Sequence, residues 1–135
     1  MGRYVDIGAI VQVIGGIYLN PNLLDNENYH FTEEDFTESF HRIIFGSIYN
    51  LHTLGATAID ADTIEDYLEQ RPNSLVIYKS NNGAEYLNKL QETTTVAAFD
   101  YYYKRMKKMT LFRMYQSIGF DCSTIYDIDN IFDQK

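Results

Sequence analysis

The sequence predicts an all-α fold, a small helical bundle with a long C-terminal helix. Residues 95–119 run without proline, start at a Thr95 suited to N-capping and stop at Gly119, and their large side chains recur every three or four positions. Three earlier segments carry the same period between recognisable start and stop signals. The one β-prone run, Leu75-Val76-Ile77-Tyr78, has no second strand signal to pair with.

Taken in order, the first helix reads from Asp6 to about Leu19, with Ile10, Ile14 and Ile17 as its stripe and Val11, Val13 and Tyr18 widening it. Gly15-Gly16 inside that pattern costs roughly 1 kcal/mol per glycine relative to alanine, which predicts close backbone packing against another helix. Asn20-Pro21-Asn22 turns the chain, and Leu23-Leu24 reads as a short helical turn. Thr32-Glu33-Glu34-Asp35 has the pattern of a helix start with carboxylates in its first turn. A second helix follows from about Glu38 to Leu54, with Phe40, Ile44, Ile48 and Leu51 inward, and ends at Gly55. Asp60 caps a third helix that runs to about Gln70 with Ile64, Tyr67 and Leu68 inward, and Arg71-Pro72 ends it. Residues 73–82 read as irregular, an apolar loop or helical turn tucked onto the body. Asn81-Asn82-Gly83 is a turn, and a short helix from Ala84 to Gln91 points Leu87 and Leu90 inward.

The long helix organises this arrangement. One face carries Phe99, Tyr103, Met106, Thr110 and Met114, and a different face carries Tyr101, Lys104, Lys108, Phe112 and Tyr115. It is either the central helix of one globule or a helix that packs on its own domain with one face and on another chain with the other. In the second reading Phe112 lies outside the core, and Phe112→Glu breaks an association without unfolding the chain, whereas Phe40→Glu unfolds it. Beyond Gly119 the segment from Phe120 to Tyr126 reads as extended. Asp127 or Asp129 then caps a further helix near Ile131 that Lys135 cuts short.

Composition bounds the function. A chain of 135 residues with 45% hydrophobic content suits one domain with a single core. Its 12 Tyr and 8 Phe suit partly buried interfaces as well as an ordinary core. The net charge of −8 argues against autonomous nucleic-acid binding, because such domains gain affinity by neutralising phosphates. Lys104, Arg105, Lys107, Lys108 and Arg113 form the one basic cluster, read as a solvated helix face in preference to a contact for an acidic partner. The single Cys122 forbids an internal disulfide and points to a reducing cytoplasm; no leader or membrane span is expected. There is no phosphate-binding Gly-x-x-x-x-Gly-Lys-[Ser/Thr] loop, dinucleotide fingerprint or nucleophile elbow. His30, His41 and His52 lack metal-ligand spacing, and Cys122 has no nearby histidine partner. No catalytic residue, cofactor or metal is therefore expected.

Six short motifs in order carry a resemblance. They are Ala9-Ile10-Val11 through Leu19-Asn20-Pro21; Phe31 to Phe36; His41-Arg42-Ile43-Ile44-Phe45; Ile59-Asp60; Gly83-Ala84-Glu85-Tyr86-Leu87; and Ala98-Phe99-Asp100-Tyr101-Tyr102 continuing to Lys108. Over nearly its whole length the chain resembles the N-terminal domain of DnaB-type replicative DNA helicases, in the divergent form of phages of Gram-positive bacteria. It departs from the family pattern in a longer stretch at residues 73–80, in Asn82-Gly83 standing for a Gly-Gly, and in Phe99 at a usually polar position. The resemblance implies an all-helical, non-catalytic collar domain that oligomerises through a C-terminal helical hairpin and docks primase or a helicase loader. It divides the chain into a body, residues 1–95, and a hairpin arm, residues 96–135, whose second helix would begin near Asp129. The interface candidates are Tyr101, Arg105, Lys108, Phe112 and Tyr115. The competing expectation is a stand-alone helical adaptor or inhibitor that binds a replicative helicase.

Overall fold

A computed structural model describes residues 4–118. Among them are six α-helices: α1 (Ile7–Leu19), α2 (Ser39–Thr53), α3 (Ala61–Leu68), α4 (Pro72–Ser80), α5 (Gly83–Thr93) and α6 (Phe99–Ser117). Short 3-10 turns at Pro21–Asp25, Glu33–Asp35 and Val96–Ala98 join them, and no strand occurs among the described residues. The all-α reading stands. The extended segment, the further helix, Gly119 and Cys122 of the sequence reading lie outside the described residues.

The core is built around α1, not α6. Apart from Gln12, every residue of α1 is apolar or glycine, and a helix apolar on most sides must be covered on most sides. It touches α2, α5 and α6, while α2, α3, α4 and α5 close the rest of the bundle on one another. Val13, Ile14, Ile17, Ile44, Ile48, Ile64 and Leu87 are wholly buried where these helices meet. Fully burying such side chains stabilises by about 1.5–3 kcal/mol each.

Gly15 and Gly16 permit this closeness. A Cβ on Gly15 would collide with the Thr94 side chain, and one on Gly16 with the Phe99 ring. The pair therefore seats the junction between α5 and α6 directly on the α1 backbone, as their presence in a helical stripe predicts.

Local signals fix the ends. Asp6 Oδ1 accepts from the Ala9 N–H at 3.0 Å and caps α1. At α3, Asp60 Oδ1 accepts from the Thr63 N–H while Thr63 Oγ1 accepts from the Asp60 N–H, a reciprocal cap. The Thr63 backbone bond, followed by its side chain, holds the Asp60 carboxyl below the usual carboxylate range. Helix α2 ends with Gly55 at φ +86°, its N–H reaching His52 O and the Ala56 N–H reaching Leu51 O, the paired bonds of a Schellman stop.

Residues 73–82 correct the sequence reading: they are largely the helix α4. Pro72 stops α3, as read, but it also occupies the first position of α4, where its missing N–H costs nothing and its fixed φ suits a helix. The β-prone run was misleading because α4 buries a single fully covered side chain, Tyr78, and leaves Val76 exposed.

His41 is buried on α2 against Phe40 and Tyr86. Burial pushes its pKa below the ordinary histidine value, partly offset by Glu38 at 3.9 Å. The folded state thus keeps His41 neutral, while the unfolded chain takes up a proton near its ordinary pKa of about 6.5. His41 therefore costs no stability above that pH and lowers stability as pH falls below it. The urea midpoint is expected to decline from pH 7 to pH 5, and His41→Gln to flatten that decline. Loss that begins only near pH 4 would instead belong to Asp60 and Asp100, whose depressed values place their contribution lower.

Candidate interaction surface

Helix α6 presents three different flanks. Phe99, Tyr103, Met106 and Thr110 are buried, as the spacing predicts. Tyr103 stacks edge-on against Tyr29 and Phe31, and its hydroxyl accepts from the His30 N–H at 2.8 Å. Below it, the wholly buried Asp35 gathers Lys107 Nζ at 2.9 Å, Thr110 Oγ1 at 2.8 Å and the Thr32 N–H at 2.9 Å. This carboxylate ties the Glu33–Asp35 turn to α6.

A second flank is covered by the N-terminal strap, residues 4–6. Arg105 Nε donates to Asp6 Oδ2 at 2.9 Å, so one aspartate both caps α1 and holds α6. Arg113 donates to Tyr4 O, to Glu34 O at 2.6 Å and to Thr110 Oγ1 at 3.2 Å. Burial lowers the pKa of Arg113, against the pull of Asp35 and Glu34, yet at any working pH a guanidinium stays charged.

Two placements differ from the sequence reading. Phe112 is buried, 1% exposed, with its ring 5.5 Å from that of Tyr4. It does lie opposite the Tyr103–Thr110 stripe, but the strap crosses that side. Met114, read as inward, is instead 53% exposed. The basic cluster also differs from a solvated face: Arg105, Lys107 and Arg113 clamp α6 to the body. Lys104 fits that reading, pairing with Asp100 at 3.0 Å in solvent, where such pairs contribute little.

The third flank is partly exposed among the described residues. Tyr101, Lys104, Lys108 and Tyr115 fall within an arc of about 60° at the helical period. Ile118 extends the strip, while Met114 lies apart from it, beside the buried stripe. Tyr101 is 57% exposed and Ile118 77%. Of the five candidates from the sequence, Tyr101, Lys108 and Tyr115 share this flank, Arg105 faces the strap, and Phe112 is in the core. The Arg105 guanidinium also bonds Tyr101 Oη at 3.2 Å and so fixes the edge of the strip.

A groove that the sequence did not reveal lies between the Glu33–Asp35 turn and α2. It encloses about 390 Å³ over Phe31, Phe36, Phe45 and Tyr49. Phe36 and Phe45 stack at 4.7 Å, and Phe45 and Tyr49 at 6.0 Å. Arg42, Glu33 and Gly46 complete its walls. The signal was present as Arg42, Phe45, Gly46 and Tyr49, three or four residues apart on a side of α2 away from the core stripe.

Gly46 is unlike Gly15 and Gly16: among the described residues nothing lies within 4 Å of where its Cβ would stand. A mid-helix glycine without a neighbour only weakens its helix. Gly46→Ala is expected to raise stability by about 1 kcal/mol, read as a higher urea midpoint at constant slope.

Comparison with known proteins follows this geometry. The sequence model of the family described as DnaB-like helicase N terminal domain matches residues 5–108. The "SPbeta prophage-derived uncharacterized protein YorI" of Bacillus subtilis (strain 168) is 39% identical over 131 residues. That alignment covers 96% of this chain and 26% of the relative, so the chain spans about a quarter of that protein's length. No solved structure matches.

Proposed function

The chain belongs to the DnaB-like helicase N-terminal domain family, and from that premise we propose that it serves as the non-catalytic collar of a replicative DNA helicase. In this reading residues 1–95 are the body and residues 96–135 the assembly arm. Copies associate through the flank of α6 that carries Tyr101, and the body docks primase or a helicase loader in the cytoplasm. Catalysis is assigned elsewhere, because these 135 residues contain no phosphate-binding loop. No helix among the described residues is long and apolar enough to cross a membrane, which agrees with work on DNA in solution.

The observation that carries the reading is the contrast between the flanks of α6. Two are fastened to the body by Asp35 and the strap, while the third carries Tyr101, 57% exposed, and leads on to Ile118, 77% exposed. Exposed aromatic and aliphatic side chains along one helix are the material of a helix-to-helix contact.

The test is self-association. The chain is expected to show a concentration-dependent monomer–dimer equilibrium in sedimentation velocity. The double variant Tyr101→Glu, Ile118→Glu should be monomeric with unchanged helicity, since both side chains are exposed. A wild-type chain that remains monomeric at millimolar concentration, or a variant that associates equally well, would overturn the reading and favour a stand-alone adaptor.

A further inference from the structure

We propose that the groove between the Glu33–Asp35 turn and α2 receives a partner helix that presents an apolar side chain and a neighbouring carboxylate. This rests on the docking role proposed above and gives it a location and a chemistry.

Three observations converge. The floor is a column of stacked rings, Phe36, Phe45 and Tyr49, with Tyr49 48% exposed at its end. Such a floor takes an aliphatic or aromatic anchor and releases the water over it. Arg42 stands at the wall with its Nε held by Phe36 O at 2.6 Å. That bond fixes the plane of the guanidinium and leaves its outer edge toward solvent, in the fork that accepts a carboxylate. Gly46 lies between Arg42 and Tyr49 on the same side of α2, with open space where a side chain would be. Among the described residues nothing uses that space. A helix crossing at Gly46 would use it, because backbones approach closest where one of them lacks a Cβ.

The charges choose the occupant. Glu33, on the opposite wall, disfavours a carboxylate there, so the acidic group of the partner belongs beside Arg42. A second copy of this chain is an alternative occupant that the test below distinguishes.

The test uses the whole 135-residue chain and a defined probe. That probe is an alanine-based helical peptide with a Leu-Phe stripe and one Glu a turn from the Phe, alongside its Gln and Lys counterparts. In 15N–1H correlation spectra the Glu peptide is expected to shift the amides of Gly46, Tyr49 and Asn50. The Lys peptide should bind about tenfold or more weakly, with Gln between. Arg42→Gln should remove the preference for Glu, and Gly46→Leu should block all three peptides while circular dichroism stays unchanged. Equal affinity of the three peptides, shifts confined to α6, or undiminished binding by Gly46→Leu would each overturn the proposal. Amide shifts at Gly46 that grow with protein concentration alone would assign the groove to a second copy and overturn it as well. The collar reading is judged separately, by the self-association of the Tyr101→Glu, Ile118→Glu variant.

Discussion

Phe112→Glu is expected to unfold the domain. The side chain is 1% exposed and its ring packs on that of Tyr4, also 1% exposed. Truncating a buried phenylalanine costs about 3–5 kcal/mol by lost transfer energy and the cavity left behind. Glutamate adds the penalty of a carboxylate that is either stripped of water or forced to take a proton. Together these reach the whole stability of an ordinary domain, about 5–15 kcal/mol. Circular dichroism should show lost helicity and no cooperative thermal transition. A fully helical Phe112→Glu protein whose only change is a shift toward monomer would mean that the strap does not cover this flank in solution.

The second large effect is expected from Asp35→Ala. Its carboxylate, with no exposed surface, satisfies Lys107, Thr110 and the Thr32 N–H at once. Removing it leaves the Thr32 N–H without its acceptor and Lys107 without its counter-charge. Lys107 retains 30% of its side-chain exposure and can turn partly to water, which softens the loss. A destabilisation of about 3 kcal/mol follows, near the lower end for a broken buried pair. For a chain of this size that is a fall in Tm of roughly 10 °C. Adding Lys107→Met should recover part of it, because the orphaned ammonium is then gone. A double variant whose loss equals the sum of the two single losses would show that the pair is not coupled.

Much of this architecture was legible because caps and periods are local. Asp6, Asp60 and Gly55 sit where the helix ends are, and Gly15-Gly16 marks the closest approach in the core. What could not be read depends on partners distant in sequence. Phe112 has the spacing of an outward residue, and only the return of Tyr4 across α6 makes it inward. The α6 cations have the spacing of a solvated face, and only Asp6, Asp35 and the Glu34 carbonyl turn them into clamps. Helix α4 failed for another reason: Pro72 ends one helix and begins the next, and one residue cannot announce both. The groove went unseen because its two walls, at Glu33 and Arg42, meet through backbone geometry that no period encodes.

The strap also sets an order of events at the ribosome. Asp6 and Tyr4 are made well before the arginines that hold them, which come 99 and 109 positions later. At about 5–20 residues per second, α1 waits on the order of 5–20 s for α6 to be synthesised. Through that interval the most apolar helix of the chain has no α6 to cover it, and chaperones that bind exposed aliphatic segments have time to engage it. Synthesis halted before Arg105 would release a chain whose first helix lacks the cover that α6 and the strap provide.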